Sequence, residues 1–118
     1  MTQKVLLVDD EQGIRNVLEI YLKDAGFDVT QAEDGRQADE ILGKTDFDMV
    51  ITDIRMPGMD GISLLKKIKA ETPETEVIML TGHGDYDLAI ESLKLDAVDF
   101  ITKPINNDIL DIALKRAR

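Results

Sequence analysis

Val5-Leu6-Leu7-Val8 is an unbroken apolar run, and Asp9-Asp10-Glu11 follows it without a gap. A strand apolar on both sides has helices over both faces, the setting of a parallel sheet. Met49-Val50-Ile51, Val77-Ile78-Met79-Leu80 and residues 98–101 share this character, and residues 27–30 add a fifth run that alternates. Between the runs, apolar residues recur at helical spacing. Ile14, Val17, Leu18, Tyr21, Leu22 and Ala25 predict a helix over 11–25. Ala38, Ile41 and Leu42 mark a second helix, and Ile62, Leu65 and Ile68 a third. Tyr86, Ala89, Ile90 and Leu93 mark a fourth, and Ile109, Ile112 and Ala113 a fifth. Strands alternating with helices imply βαβ units with right-handed crossovers, hence a doubly wound α/β domain. The basic end, Lys115-Arg116-Ala117-Arg118, suits a last helical turn, where cations oppose the negative helix terminus.

The 118 residues fit one domain, taken here as 1–118, and 43% apolar residues are enough for one core. There is no repeat, low-complexity tract or linker. No apolar run approaches the roughly 20 residues of a membrane span, and no signal-peptide pattern opens the chain, so a cytoplasmic location off the membrane is expected. The absence of cysteine excludes disulfides, zinc–thiolate sites and thiol nucleophiles. With 24 acidic against 14 basic residues the net charge is −10, which opposes direct nucleic-acid binding.

In open α/β sheets, ligands bind outside the carboxyl ends of the strands. Asp9, Asp10 and Glu11 follow the first run, Asp53 the third, Thr81 the fourth, and Thr102 and Lys103 the fifth. Carboxylates gathered at one edge repel each other and resist burial unless a cation joins them. Lys103 and a hard divalent ion are the available cations. Mg²⁺ suits one or two carboxylates, several waters and a phosphoryl oxygen. Read alone, Asp9-Asp10-Glu11 is an acidic helix cap, Thr81 a strand-end hydroxyl and Lys103 a solvated lysine. A cap does not account for Asp53, which precedes Ile54-Arg55-Met56-Pro57-Gly58 instead of opening a helix. The joint placement after four strands carries the inference.

Four pieces in order, Val8-Asp9-Asp10-Glu11, the segment from Asp53-Ile54-Arg55-Met56-Pro57-Gly58 to Met59-Asp60-Gly61, Leu80-Thr81-Gly82 and Phe100-Ile101-Thr102-Lys103-Pro104, make the pattern specific. Over essentially its whole length the chain resembles the receiver domain of two-component response regulators. The resemblance implies a flavodoxin-like (βα)5 fold with strand order 2-1-3-4-5. It implies Asp53 as phosphoacceptor, with Asp9, Asp10, Asp53 and the backbone carbonyl of Arg55 holding Mg²⁺. Thr81 and Lys103 would contact the phosphoryl group, and Thr81 and Phe100 would be the switch residues. The implied partners are a sensor histidine kinase or phosphotransfer protein, a C-terminal output domain beyond this chain, and a second copy on phosphorylation. The implied output is transcriptional, through the face of the fourth helix, fifth strand and fifth helix. Such a module is not an enzyme with a separate substrate, since it catalyses only its own phosphorylation and dephosphorylation. Thr81-Gly82-His83-Gly84-Asp85 and Ala97-Val98-Asp99-Phe100 look most like receivers of nitrogen-regulator-type transcription factors.

Two other classes are weaker. A haloacid-dehalogenase-type phosphohydrolase needs an acid two residues after its nucleophile, and Arg55 stands there. A flavin or nucleotide binder needs a glycine-rich loop after the first strand, where this chain has acid. His83 reads as an exposed loop histidine, and Met56 and Met59 as loop packing. Lys66, Lys67 and Lys69 read as solvated, and Gly58 and Gly61 as turn residues. Pro104 matches a position usually cis in the family. Asp96 replaces the family's usual glycine before Ala97, and aspartate tolerates the left-handed conformation expected there.

Overall fold

The computed structural model describes residues 2–118. Along the chain run β1 (Lys4–Val8), α1 (Gln12–Asp24), β2 (Asp28–Ala32), α2 (Gly35–Leu42), β3 (Met49–Asp53), α3 (Gly61–Glu71), β4 (Glu76–Thr81), α4 (Tyr86–Lys94), β5 (Asp99–Thr102) and α5 (Asn107–Ala117). The strands form one parallel sheet in the order β2-β1-β3-β4-β5. This is the expected doubly wound arrangement. Strands β3 and β4 continue one or two residues past their apolar runs, so Asp53 and Thr81 are the last strand residues. The second strand begins at Asp28, not Phe27, and continues to Ala32; as an edge strand it buries only Val29 and Ala32, one on each face.

Side chains two apart along a strand share a face, so the continuous runs feed two cores. Leu6, Val8, Val50, Val77 and Met79 pack with Ala38, Leu64, Leu65, Ile68 and Ala89 from α2, α3 and α4. Val5, Leu7, Met49, Ile51, Ile78 and Leu80 pack with Leu18, Leu22, Leu110, Ala113 and Leu114 from α1 and α5.

The helices lie where the spacing puts them, but several face differently. Val17, Tyr86, Leu93, Ile109 and Ile112, which helped to locate α1, α4 and α5, are exposed. In α5 the buried stripe is Leu110, Ala113, Leu114 and Ala117, one column around from the isoleucines. Helical periodicity finds the helix; where two apolar columns adjoin, only packing selects the inner one. Lys67 and Lys69 are also not simply solvated. Lys67 Nζ donates to Asp39 Oδ2 at 2.8 Å, joining α3 to α2. Lys69 Nζ donates to the Pro73 and Thr75 carbonyls at 3.1 and 2.7 Å, closing the end of α3.

Gly58 has φ +77 and is a true turn glycine, whereas Gly61 starts α3 with ordinary φ and is needed for closeness. A Cβ there would overlap the Asp53 carbonyl oxygen, so α3 starts hard against the end of β3. Asp96 takes φ +75, the left-handed conformation expected of it, and Lys103–Pro104 is cis. Gly61→Ala should cost about 2–3 kcal/mol, roughly 10 °C in Tm, measured calorimetrically. Asp96→Gly should raise stability by about 0.5 kcal/mol in urea unfolding, relief of the left-handed residue exceeding the added chain entropy.

Candidate functional site

The parallel register lines up the carboxyl ends of the inner strands. Val8 pairs with Thr52, Asp53 with Leu80, and Thr81 with Thr102. Asp9, Asp53, Thr81 and Lys103 therefore converge on one edge from four strands. Asp9, Asp53 and Thr81 are buried, Lys103 is half-buried and Asp10 is exposed. Lys103 Nζ is 2.9 Å from both Asp9 Oδ2 and Asp53 Oδ2, with Glu11 Oε1 at 3.7 Å. Asp53 Oδ1 accepts the Arg55 backbone N–H at 3.3 Å.

The acidic turn after β1 is not an ordinary helix cap. Glu11 occupies the N-cap position of α1 without a side-chain cap bond, and the first turn contains no acid. Asp9 Oδ1 instead accepts the Glu11 N–H at 2.9 Å, which aims its other oxygen inward. Arg15, which the sequence reading passed over, fixes this turn by donating to the Asp9 carbonyl at 2.6 Å and to Gln31 Oε1 at 3.0 Å. Its only sequence signal was a cation one turn into a helix after acids.

Burial raises the Asp53 pKa above its ordinary value, and Asp9 adds to the rise. Together these outweigh the pull of Lys103 and of the Arg55 N–H. Burial disfavours the Lys103 ammonium too, but hydrogen bonds and charge from Asp9 and Asp53 more than offset this and raise its pKa. One ammonium is thus shared by two buried carboxylates and holds neither fully.

Asp9, Asp10 and Asp53 each offer an oxygen within 4.8 Å of the others'. Asp9 Oδ2 is fully buried, and the Lys103 ammonium at 2.9 Å, shared with Asp53, is its one partner. Hard oxygens from three carboxylates around a single shared ammonium fit a hard divalent cation such as Mg²⁺. The Arg55 peptide, whose carbonyl is the fourth expected ligand, is tied to the cluster through its N–H.

Thr81 Oγ1 donates to the Ile101 carbonyl at 3.4 Å, a long bond that leaves the hydroxyl easy to redirect. Phe100 is half-buried against the core on the α4 side. His83 is exposed on the loop before α4. The Arg55 side chain turns away from the acids, its Nε 2.5 Å from Asp85 Oδ1. The sequence reading missed this pair, since nothing in residue spacing links positions 30 apart.

Residues 5–115 match the family described as "Response regulator receiver domain". The chain belongs to that family, the receiver domains of two-component response regulators. It is 41% identical over 119 residues to the transcriptional regulatory protein FixJ of Bradyrhizobium diazoefficiens, covering 99% of this chain and 58% of that protein. It is 45% identical to a putative NtrX-like response regulator of Rickettsia bellii, covering 96% of this chain and 24% of that one. Among solved structures, a response regulator receiver domain protein from Clostridium thermocellum superposes with TM-score 0.92 at 37% identity, covering 98% of this chain and 93% of that one. The chain thus spans between 24% and 58% of the length of these two curated relatives, both of them regulators. Among the described residues no helix is long and apolar enough to cross a membrane.

The raised Asp53 pKa has a sign that can be measured. The folded state holds the Asp53 proton more tightly than the unfolded chain, so ionised Asp53 lowers stability at neutral pH and protonation relieves it. In chelator-treated buffer, Asp53→Asn should melt above wild type at neutral pH. The gap should close as pH is lowered from neutral toward the ordinary aspartate range and wild-type Asp53 takes up its proton. Calorimetry showing equal or lower melting for the variant at neutral pH would contradict this.

Proposed function

We propose that this domain accepts a phosphoryl group on Asp53 in a two-component phosphorelay and passes the signal through the α4–β5–α5 face. The observation that carries the proposal is the meeting of Asp9, Asp10, Asp53 and Lys103 Nζ at one sheet edge. An Asp53 carboxylate oxygen attacks phosphorus in a phosphohistidine donor. A P–O bond forms, the P–N bond breaks, and the departing imidazole takes up a proton to leave as neutral histidine. The product is an acyl phosphate. Bound by Asp9, Asp10, Asp53 and the Arg55 carbonyl, Mg²⁺ would supply charge neutralisation for the transferring group. Phosphoryl transfer asks mainly for positioning and charge. The Arg55 N–H orients the nucleophile, and Lys103 is placed to move from the free carboxylate to a phosphoryl oxygen. The Thr81 hydroxyl is placed to turn from Ile101 toward the same group, drawing on the loop before α4 while Phe100 shifts in its half-buried seat.

The donor is a sensor histidine kinase or a phosphotransfer protein. An apolar cleft of about 250 Å³, lined by Ile14, Val17, Leu18, Pro104 and Ile105, runs between α1 and the loop after β5 and shares Lys103 with the site. A protein donor seated there delivers its phosphohistidine beside Asp53. On the output side, Tyr86 and Leu93 of α4 and Ile109 and Ile112 of α5 are exposed apolar residues available to a second copy or an output domain. That output is transcriptional by analogy with the relatives, in a cytoplasmic setting. A hydrolase of the haloacid-dehalogenase type is disfavoured, because the position for its second acid is Arg55, a cation already paired with Asp85.

Intact mass after incubation with acetyl phosphate tests the reading. One phosphoryl adduct is expected with Mg²⁺, far less with chelator, and none in Asp53→Ala. An adduct that persists in Asp53→Ala, or no adduct together with no beryllofluoride complex, would reject Asp53 as the acceptor.

A further inference from the structure

We infer that the ion pair between Arg55 and Asp85 is a latch that holds α4 in its resting position, and that a phosphoryl group on Asp53 opens it by drawing the guanidinium away. The first observation is a diverted carboxylate. Asp85 is the N-cap residue of α4, yet its side chain caps nothing and its backbone, at φ −99 and ψ 22, is not extended. Asp34, Asp60 and Asn106 at the starts of α2, α3 and α5 are all extended, and each accepts a backbone N–H of its helix. Only an extended cap residue directs its oxygen at the N2 or N3 amide. The Asp85 carboxylate instead meets Arg55 Nε at 2.5 Å. This carboxylate has two partners to choose between, the guanidinium or the amides at the start of α4.

The second observation is an asymmetry of exposure. The Asp85 side chain is 8% exposed and the Arg55 side chain 70%. A buried carboxylate does not tolerate losing its partner, whereas an exposed guanidinium moves at little cost. Removal of Arg55 therefore obliges Asp85 to find another donor, and the amides of α4 are adjacent. Reaching them requires the turn at Asp85 to extend and the first turn of α4 to reset. Gly84 next to it has φ +90, and the Asp85 N–H holds the Gly82 carbonyl only at 3.3 Å, so the preceding loop can follow.

The third observation is how lightly α4 is seated. Its buried residues are Ala89 and Ser92, and the Ser92 hydroxyl donates back to the Ala89 carbonyl at 2.6 Å. With Leu88 only partly buried against the core, a methyl and a self-satisfied hydroxyl bury less apolar area than the leucines and isoleucines of α3, so α4 is held more lightly than α3. A cleft of about 420 Å³ lined by Arg55, Met56, Lys66, Leu88 and Glu91 runs along it toward α3, leaving room for displacement. In so lightly held a helix, one charge-assisted contact at its N-cap residue decides its position.

Release rests on the phosphoacceptor role of Asp53 proposed above. Arg55 follows Asp53 by two residues, and its N–H already holds an Asp53 oxygen. A phosphoryl group there adds close to two negative charges and three acceptor oxygens, which guanidinium binds in preference to a single carboxylate oxygen.

Amide hydrogen exchange on the unphosphorylated protein tests the latch without reference to phosphate. Arg55→Ala should slow exchange about tenfold at Asp87 and Leu88, whose amides the released Asp85 carboxylate then caps, while leaving α1 and α5 unchanged. Asp85→Ala, which removes latch and cap together, should show no such slowing, and the double variant should match Asp85→Ala. Arg55→Lys should keep exchange near wild type. Unchanged exchange in Arg55→Ala, slowing that persists in the double variant, or changes spread over the whole protein would overturn the latch. Beryllofluoride with Mg²⁺ on the wild type tests the release. A fluorine signal from the bound complex accompanied by the α4 pattern of Arg55→Ala supports it, and a bound complex with α4 unchanged overturns it. No bound complex at all removes the release step together with the phosphoacceptor reading, while the first arm still decides the latch.

Discussion

Lys103 Nζ lies 2.9 Å from carboxylate oxygens on two different strands, Asp9 after β1 and Asp53 at the end of β3. Without that ammonium, two buried acids would face each other across the sheet edge, and burial would drive protons onto them. With it the edge is tolerable but not balanced, as the raised Asp53 pKa records. The surplus negative charge suits a hard cation, and under the proposed phosphoacceptor role the shared ammonium would change partners when a phosphoryl group arrives. Local sequence enforces the geometry. Arg15 ties down the turn that carries Asp9, and Gly61 lets α3 begin in contact with Asp53. The edge is held in a strained electrostatic state by a rigid frame, which is what a switchable site requires.

The frame is not equally rigid all round. α3 buries Ile62, Leu64, Leu65 and Ile68, while α4 buries one alanine and one serine. A perturbation at the sheet edge does least work by moving the element with least to lose. Thr81 and Arg55 both connect the acids to the segment that starts α4, one through the end of β4 and the other across the loops. Under the proposed function, routes of this kind would act on one lightly held helix without disturbing the two cores.

The fold was legible because both-sided burial forces continuous apolar runs, and no other common environment does so in strands this short. Asp9, Asp53, Thr81 and Lys103 were legible as a set because a parallel sheet brings the residues after its strands to one edge. Residue-level packing was not. Ile109 and Leu110, or Val17 and Leu18, are adjacent apolar residues, and only their packing against the sheet decides which points inward. The Arg55–Asp85 pair was invisible for a different reason. It depends on a turn at Asp85 that declines to cap its helix, and an aspartate before a helix reads as a cap in any sequence.

The same logic explains why the first strand ends in acid and not in glycine. A glycine-rich turn offers bare amides to a phosphate that arrives as a ligand and leaves again. Here the phosphoryl group would become part of the chain, bonded to Asp53, so the site has no need to bind a free anion and is better served by repelling one. Asp9, Asp10 and Glu11 put negative charge where a glycine-rich turn would put bare amides, and that charge, held at the sheet edge by fewer cations than it needs, suits a hard cation better than a free anion.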